Sequence, residues 1–184
     1  IDVSCPNLLL AIINWILEGN RGLVYVRVMR SASNVIYTPR PTFAFGTALI
    51  PRSGTSPVVT IVSSGRGVIE ALSAADILER DGIDVTVVDM PSVDEQTLLD
   101  LHDARGPLLF AEQNNGFLYS AYRAVVFENR RTINSSHVTA VNALDESGKP
   151  RFLHSGTYDE LIGSLGLTPE QIAKTCTDIL DQER

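Results

Sequence analysis

Short apolar runs, rich in β-branched residues, recur between positions 57 and 144, and a segment with helical spacing separates each run from the next. Such runs are typical of strands that are buried on both faces of a parallel sheet. Parallel neighbours need long crossover connections, and the helical segments supply them on both faces. The pattern predicts an α/β domain over residues 57–184, a three-layer α/β/α open sheet that is mostly parallel. The predicted strands are Val58–Val62, Asp84–Asp89, Leu108–Ala111 and Val138–Leu144.

The helices of this domain are predicted from apolar spacing and from residues that start or stop helices. Val68 and Leu78 belong to the apolar face of the first helix, and Gly82 ends it. Further helices are predicted over Glu95–His102 and Gly116–Val126. Two more start at Thr157 and Thr168, where a Glu or Gln three residues later completes a capping box.

The N-terminal part of the chain does not continue this pattern. Pro6 suits the first turn of a helix that ends near Gly19, and the β-branched residues of Leu23–Met29 predict a strand. The chain begins with Ile1 rather than Met. We therefore interpret residues 1–38 as the last helix and strand of a preceding domain.

A segment rich in Pro, Ser, Thr and Gly follows and predicts a linker over residues 39–56. One short strand is expected within it, around Thr47–Ile50. This strand would be an antiparallel edge strand on the otherwise parallel sheet. The chain is thus predicted to contain one complete α/β domain with the end of another domain in front of it.

Composition narrows the partners that the chain could have. The net charge of −7 argues against nucleic acid, which attracts clustered Lys and Arg. No apolar stretch reaches the roughly 20 residues that span a bilayer, so no membrane segment is predicted. Cys5 and Cys176 lie far apart without zinc-ligand spacing, which favours free thiols and a cytoplasmic location. Cys176 lies on the apolar stripe of the last helix and is expected to fill the core.

The turn after the first predicted strand of the domain is a candidate anion site. Ser64, Gly65 and Arg66 lie between a strand and a helix N-terminus, where free N–H groups and the helix dipole favour an anion. The turn lacks the dinucleotide-binding and Walker motifs. The alternative is that Ser64 caps the helix and Gly65 allows a tight turn.

A polar loop follows the third predicted strand of the domain and is a second candidate site. Glu112, Asn114 and Asn115 lie at the carboxyl edge of the sheet, where α/β proteins usually bind ligands. The loop is either a ligand or subunit contact or a cap for the next helix. Asp94 is expected to cap a helix rather than to form a carboxylate pair with Asp89.

The three histidines suggest no metal site from spacing. His102, His137 and His154 are scattered, and none has a second His or Cys at ligand spacing. No G-x-S-x-G motif is present to support serine hydrolase chemistry. No catalytic residue, cofactor-binding residue or metal ligand is therefore predicted within this chain.

An ordered series of segments resembles the C-terminal domain that transketolases share with other thiamine-diphosphate enzymes. The front of the chain agrees, because Gly22–Arg27 is similar to the last strand of the family's pyrimidine-binding domain. The resemblance covers nearly the whole chain. Its segments are Thr60–Gly65, Glu70–Leu72, Gly82–Val85, Val87–Ser92, Glu112–Gly116, His154–Gly156 and Gly166–Pro169.

The resemblance implies a parent enzyme that transfers a two-carbon ketol unit between sugar phosphates. It implies thiamine diphosphate and a divalent metal such as Mg²⁺ in a homodimer, held by a first domain that this chain lacks and by the pyrimidine-binding domain, of which the chain contains only the end. This chain would then be mainly a structural and dimerisation domain, inactive without the upstream transketolase domains or subunit. By position, Arg30 matches an arginine that holds the substrate phosphate in the family, and its guanidinium suits a phosphate. Its neighbours in Val28–Ser31 depart from the family's motif, and the alternative is that Arg30 is a surface or interface charge.

Two other interpretations remain open from the sequence. The chain is also similar to the C-terminal domain of a 2-oxoacid dehydrogenase β subunit, although Met90–Asp94 agrees better with transketolases. From a different class, the chain could be a free-standing regulatory domain that binds an anionic small molecule at the carboxyl edge of the sheet. Calorimetry with sugar phosphates and nucleotides separates this last interpretation from a purely structural domain.

Overall fold

The structure of this protein is a computed structural model that describes residues 1–20, 22–29 and 34–182. In these ranges one sheet has the strand order β1-β3-β2-β4-β5. Its strands are β1 (Leu49–Arg52), β2 (Val59–Ser63), β3 (Val85–Asp89), β4 (Leu108–Ala111) and β5 (Val138–Val141). The helices are α1 (Pro6–Leu17), α2 (Gly67–Arg80), α3 (Glu95–Asp103), α4 (Phe117–Glu128), α5 (Tyr158–Leu165) and α6 (Pro169–Gln182).

The sheet is parallel except at one edge. Strands β3, β2, β4 and β5 pair in parallel, whereas β1 pairs antiparallel with β3, with Leu49 opposite Asp89. The mostly parallel sheet with an antiparallel edge strand is confirmed. The edge strand lies two residues later than the predicted Thr47–Ile50, and β5 ends three residues before the predicted Leu144.

Helices cover both faces of the sheet, so the fold has the three predicted layers. Successive strand residues face opposite layers: Ile61 and Val87 pack with α2, α5 and α6, whereas Val62 and Val88 pack with α3 and α4. Both layers are built from fully buried apolar side chains. Cys176 belongs to the first layer, as predicted, and burial raises the pKa of its thiol to about 12.

The N-terminal part has a small apolar core of its own around Leu8, Ile12 and Phe43. The strand predicted over Leu23–Met29 is wrong for the residues described there. Arg27 forms a single parallel bridge with Asp2, closed by hydrogen bonds on either side, and no longer ladder is present in this stretch. A strand needs a neighbouring strand that pairs with it along its length. The described residues that pair with this segment are the three at the N-terminus, Ile1–Val3, which is too few for a ladder.

The predicted helix starts in the tail are confirmed. Thr157 and Glu160 form a reciprocal capping box at α5, because each side chain pairs with the backbone N–H of the other residue. Thr168 and Gln171 exchange the same two hydrogen bonds at α6. None of the helices in the described ranges is long and apolar enough to cross a membrane.

Candidate functional site at the carboxyl edge of the sheet

The carboxyl ends of β2, β3 and β4 bring both predicted polar clusters to one edge of the sheet. The turn Ser64–Arg66 follows β2, and Glu112 follows β4. The ends of β2 and β4 are joined by a hydrogen bond of 2.6 Å that Ser63 Oγ donates to the Ala111 carbonyl. This is the edge at which parallel α/β sheets usually bind ligands.

A carboxylate of the chain itself lies at the candidate anion site. Ser64 Oγ donates to Asp2 Oδ2 at 2.9 Å, and Arg27 donates to both Asp2 oxygens at 2.8 and 2.5 Å. Gly65 has φ +56°, and a Cβ at this position would collide with the Asp2 carboxylate. The sequence analysis identified the site but not this occupant, because Asp2 is 62 residues away from Ser64.

Ser64 does not cap α2, so that prediction is wrong. The N-cap residue is Arg66, and no side chain caps the helix. The Ser64 hydroxyl is committed to Asp2. Backbone carbonyls accept from N–H groups of the first turn instead. Val68 N–H donates to the Gly65 carbonyl, and Ile69 N–H donates to the Arg66 carbonyl.

Arg66 belongs to a network that joins α2, α5 and the loop after β4. Its guanidinium lies 4.5 Å from the centre of the Tyr158 ring and 3.3 Å from Glu70 Oε1. The Tyr158 hydroxyl donates to Glu70 and accepts from Gln113 Nε2 at 2.6 Å. Burial is the main reason that the pKa of Tyr158 rises to about 12. Arg66 also lines a cavity of about 160 Å³ together with Asp2 and Arg27.

Glu112 is buried and caps α4. Its two carboxylate oxygens accept from the N–H groups of Leu118 at 2.7 Å and Tyr119 at 2.9 Å. Burial raises the pKa of Glu112, and these N–H groups oppose that rise. Asn114 Oδ1 accepts from Phe117 N–H at 2.9 Å, which completes the cap. Asn115 is exposed, so a subunit contact at this loop stays a prediction that rests on Asn115.

Asp89 and Asp94 have different surroundings, as the sequence indicated. Asp94 caps α3, accepting from Thr97 N–H at 3.0 Å, and also accepts from Ala48 N–H. Burial raises the pKa of Asp94, but these hydrogen bonds outweigh burial and the net pKa is lowered.

Asp89 is fully buried and has contacts that the sequence analysis did not predict. Its Oδ2 accepts from Ser4 Oγ at 2.5 Å and from Tyr37 Oη at 2.7 Å, while Oδ1 has no hydrogen-bond partner among the described residues. Burial raises the pKa of Asp89 to about 7. The signal in the sequence was an aspartate at the end of an otherwise apolar strand, but its partners lie more than 50 residues away.

The described residues do not form a site for a diphosphate and its metal. They contain no group of three or more His, Cys, Asp or Glu side chains placed to hold a metal ion. Asp89, a fully buried carboxylate at this edge, accepts hydrogen bonds from two hydroxyl groups of the chain. Arg30, predicted to hold a substrate phosphate, lies outside the described residues.

A family model described as "Transketolase, C-terminal domain" matches residues 46–172. The chain therefore belongs to the transketolase C-terminal domain family, and the resemblance seen in the sequence is confirmed. The match begins just before β1 and ends in α6, so it covers the sheet and the helices on both of its faces.

Curated relatives agree with this assignment. The chain is 31% identical over 136 residues to transketolase-like protein 1 of Bos taurus, which covers 71% of this chain and 22% of that protein. It is 27% identical over 169 residues to transketolase-like protein 2 of Homo sapiens, covering 89% of this chain and 25% of that protein. The chain thus spans about a quarter of the length of these relatives.

A solved structure shares the fold over almost the whole chain. It is described as "Split gene transketolase, inactive beta4 tetramer" and superposes with a TM-score of 0.80 at 26% identity. The superposition covers 99% of this chain and 57% of the other. These similarities favour the transketolase interpretation over a dehydrogenase β subunit.

Proposed function

We propose that this chain is the assembly-forming C-terminal part of a transketolase-type enzyme, which transfers a two-carbon ketol unit between sugar phosphates. Family membership supports the enzyme class. The observation that supports the structural role is that the chain's own side chains occupy the carboxyl edge of the sheet. Asp2, Asp89 and Glu112, the acidic groups at that edge, are all engaged in holding the chain's own elements together.

The proposal gives each of these contacts a positioning task. Asp2 and Asp89 fix the N-terminal part against the α/β domain through Ser64, Ser4 and Tyr37. Arg30 lies three residues after Arg27, which holds Asp2. The domain would thus orient the segment that carries the phosphate-binding candidate, while other domains supply thiamine diphosphate and Mg²⁺. In this proposal the chain is divided as predicted. Residues 1–38 are the end of a preceding domain, residues 39–56 are a linker, and residues 57–184 are the C-terminal domain.

Exposed apolar side chains indicate where the upstream transketolase domains or subunit would dock. Leu17, Leu23 and Tyr25 lie close together in sequence and are largely exposed, with Tyr25 at 76%. Isolated exposed apolar residues are ordinary, but a contiguous apolar patch marks an interaction surface, and we propose that these three side chains belong to one. The similar split-gene transketolase is described as an inactive beta4 tetramer. We propose that this chain likewise assembles, as a homodimer within the parent enzyme, and is inactive alone.

The two cysteines support a cytoplasmic location for the parent enzyme. Cys5 and Cys176 are both buried and both free. Free thiols are the rule where the surroundings are reducing.

The test is reconstitution with a partner that carries the upstream transketolase domains. We expect the chain alone to show no ketol transfer, and the mixture with thiamine diphosphate and Mg²⁺ to show it together with a larger assembly in solution. Tyr25→Asp should weaken the assembly, whereas Phe127→Asp, at a residue that is 82% exposed on α4, should not. Turnover by the chain alone, or a mixture without gain in size or activity, contradicts the proposal.

A further inference from the structure

A cavity lined by two arginines and two histidines lies at the opposite end of the sheet from the site described above. The cavity measures about 470 Å³, within the range of small-molecule sites. Its apolar wall includes Leu108 and Val138, the first residues of β4 and β5. Its remaining walls come from the end of α3, from Tyr122 of α4 and from the loops that follow these two helices. Neither the family assignment nor the proposed function gives this end of the sheet a role.

The charge at this cavity is positive, although the whole chain is acidic. Arg105 and Arg131 both line it, with one carboxylate, Asp103. Arg131 holds Asp103 with two hydrogen bonds, of 2.8 and 2.6 Å, so these charges cancel. The Arg105 guanidinium makes no hydrogen bond or ion pair with any described residue and remains available to a ligand.

His102 adds a donor that is already oriented, whereas His137 is engaged with the backbone. His102 Nδ1 lies 2.8 Å from the hydroxyl of Tyr122, which is fully buried. That hydroxyl needs an acceptor, so Nδ1 accepts and the ring hydrogen lies on Nε2, the remaining donor of His102. His137 Nδ1 lies 3.2 Å from the Arg105 carbonyl, which can only accept, so Nδ1 carries a hydrogen there. Both rings line the cavity.

N–H groups of the following loops offset part of the negative charge at the ends of α3 and α4. Helix C-termini are partially negative because their last carbonyls lack partners. Here N–H groups of the following loops bond these carbonyls: Arg105 N–H donates to the His102 carbonyl, and Arg131 N–H to the Val126 carbonyl. Asn129 Nδ2 donates to the Val125 carbonyl as well.

Backbone strain is concentrated at the same two loops. Arg105 has φ 57° and Arg130 has φ 58°, and within the described ranges they are the non-glycine residues with positive φ. Each follows a helix at a position where glycine is the usual residue, since a side chain there is costly.

We propose that this cavity binds a small phosphate monoester, with the phosphoryl group between the Arg105 guanidinium and His102 Nε2. A tetrahedral phosphoryl group accepts from donors that approach from several directions, whereas a carboxylate is planar and pairs best with one fork. Thr132 and Asn134 also line the cavity and supply polar groups for the organic part of the ligand. The apolar wall of Leu108 and Val138 excludes water from one side.

The experiment is titration of the full chain with inorganic phosphate, glycerol 3-phosphate and glycerol, followed by calorimetry and by NMR of the histidine ring nitrogens. We expect both phosphates to bind and glycerol not to bind, with shifts at His102 and none at His154. If glycerol 3-phosphate binds more tightly than inorganic phosphate, the organic part of the ligand is recognised. If the two bind equally, the phosphoryl group alone is recognised. Absence of phosphate binding at millimolar concentration overturns the proposal.

Two glycine substitutions separate the cavity from general charge effects. Arg105→Gly removes the guanidinium and also relieves the positive φ, so the variant should fold at least as well as the parent. We expect it to weaken phosphate binding about tenfold or more, the usual effect of losing a hydrogen bond to a charged group. Arg130→Gly removes the same charge and strain but does not line the cavity, and should leave affinity unchanged. Equal losses in both variants overturn the proposal.

Discussion

The α/β domain and the N-terminal part of this chain use similar apolar sequences with different results. In the domain, the apolar residues of β2, β3 and β4 are almost all buried between two helix layers. In the N-terminal part, Leu23 and Tyr25 belong to an equally strand-like run but are exposed. The difference shows that a β-branched run becomes a strand where neighbours pair with it on at least one side along its length.

The first way to test this comparison is to remove a large side chain from the domain core. Phe110 is fully buried in the layer formed with α3 and α4. We expect Phe110→Ala to lower the free energy of unfolding by about 3–5 kcal/mol, because it leaves a cavity among packed neighbours. Urea unfolding measures this change.

The matched control for that substitution is Phe127→Ala. Phe127 lies on α4, which packs on the same layer, but its side chain is 82% exposed. Its effect should stay within about 0.5 kcal/mol. Similar losses for the two variants would mean that the described core does not carry the stability of the domain.

The second test concerns Asp89, which joins the two regions through Ser4 and Tyr37. Its pKa is about 7 in the folded chain, against an ordinary value of 3.8. Between these pH values the folded state keeps a proton that the unfolded state has lost. The stability that this proton contributes is complete below about pH 4 and is lost as pH rises to about 7, by up to about 4 kcal/mol.

Asp89→Asn removes this titration, so the pH dependence of unfolding should be shallower in the variant over that window. The measurement is the free energy of unfolding as a function of pH for both chains. NMR titration of the Asp89 carboxyl carbon provides an independent check in the unsubstituted chain. A midpoint near the ordinary value, or identical pH profiles for the two chains, would show that Asp89 does not hold a proton in this interface.

The third and smallest effect concerns the contact between Gly65 and Asp2. Gly65→Ala places a side chain at φ +56° and pushes the Asp2 carboxylate away. Gly82→Ala is the control, because Gly82 has φ +77° and no atom near its added Cβ. We expect a loss of about 1 kcal/mol for Gly82→Ala from backbone strain, and about 2–3 kcal/mol for Gly65→Ala.

A double substitution isolates the part of this loss that is due to Asp2. In an Asp2→Ala background, the cost of Gly65→Ala should fall to that of Gly82→Ala, as measured by urea unfolding. An unchanged cost would mean that Asp2 does not occupy the turn after β2 and that the two regions meet differently.

The elements with local signals were the ones that the sequence predicted well. The capping boxes at Thr157 and Thr168, the cap at Asp94 and the core position of Cys176 all depend on residues close in sequence or on helical spacing. The candidate site was predicted in part. The position of Ser64 at the carboxyl edge was correct, but its predicted role as a helix cap was wrong because a distant carboxylate took its hydroxyl.

The order of apolar runs and helix signals was enough to establish an open α/β sheet, since strand burial and helix spacing are properties of short segments. Family membership followed from the same segments taken in order. Only the tertiary structure determined which groups meet at the two ends of the sheet. Asp2 reaches Ser64, Ser4 reaches Asp89, and Arg105 stands beside His137 because the sheet brings distant loops together. Such contacts depend on the relative placement of whole elements, for which no short stretch of sequence carries a signal.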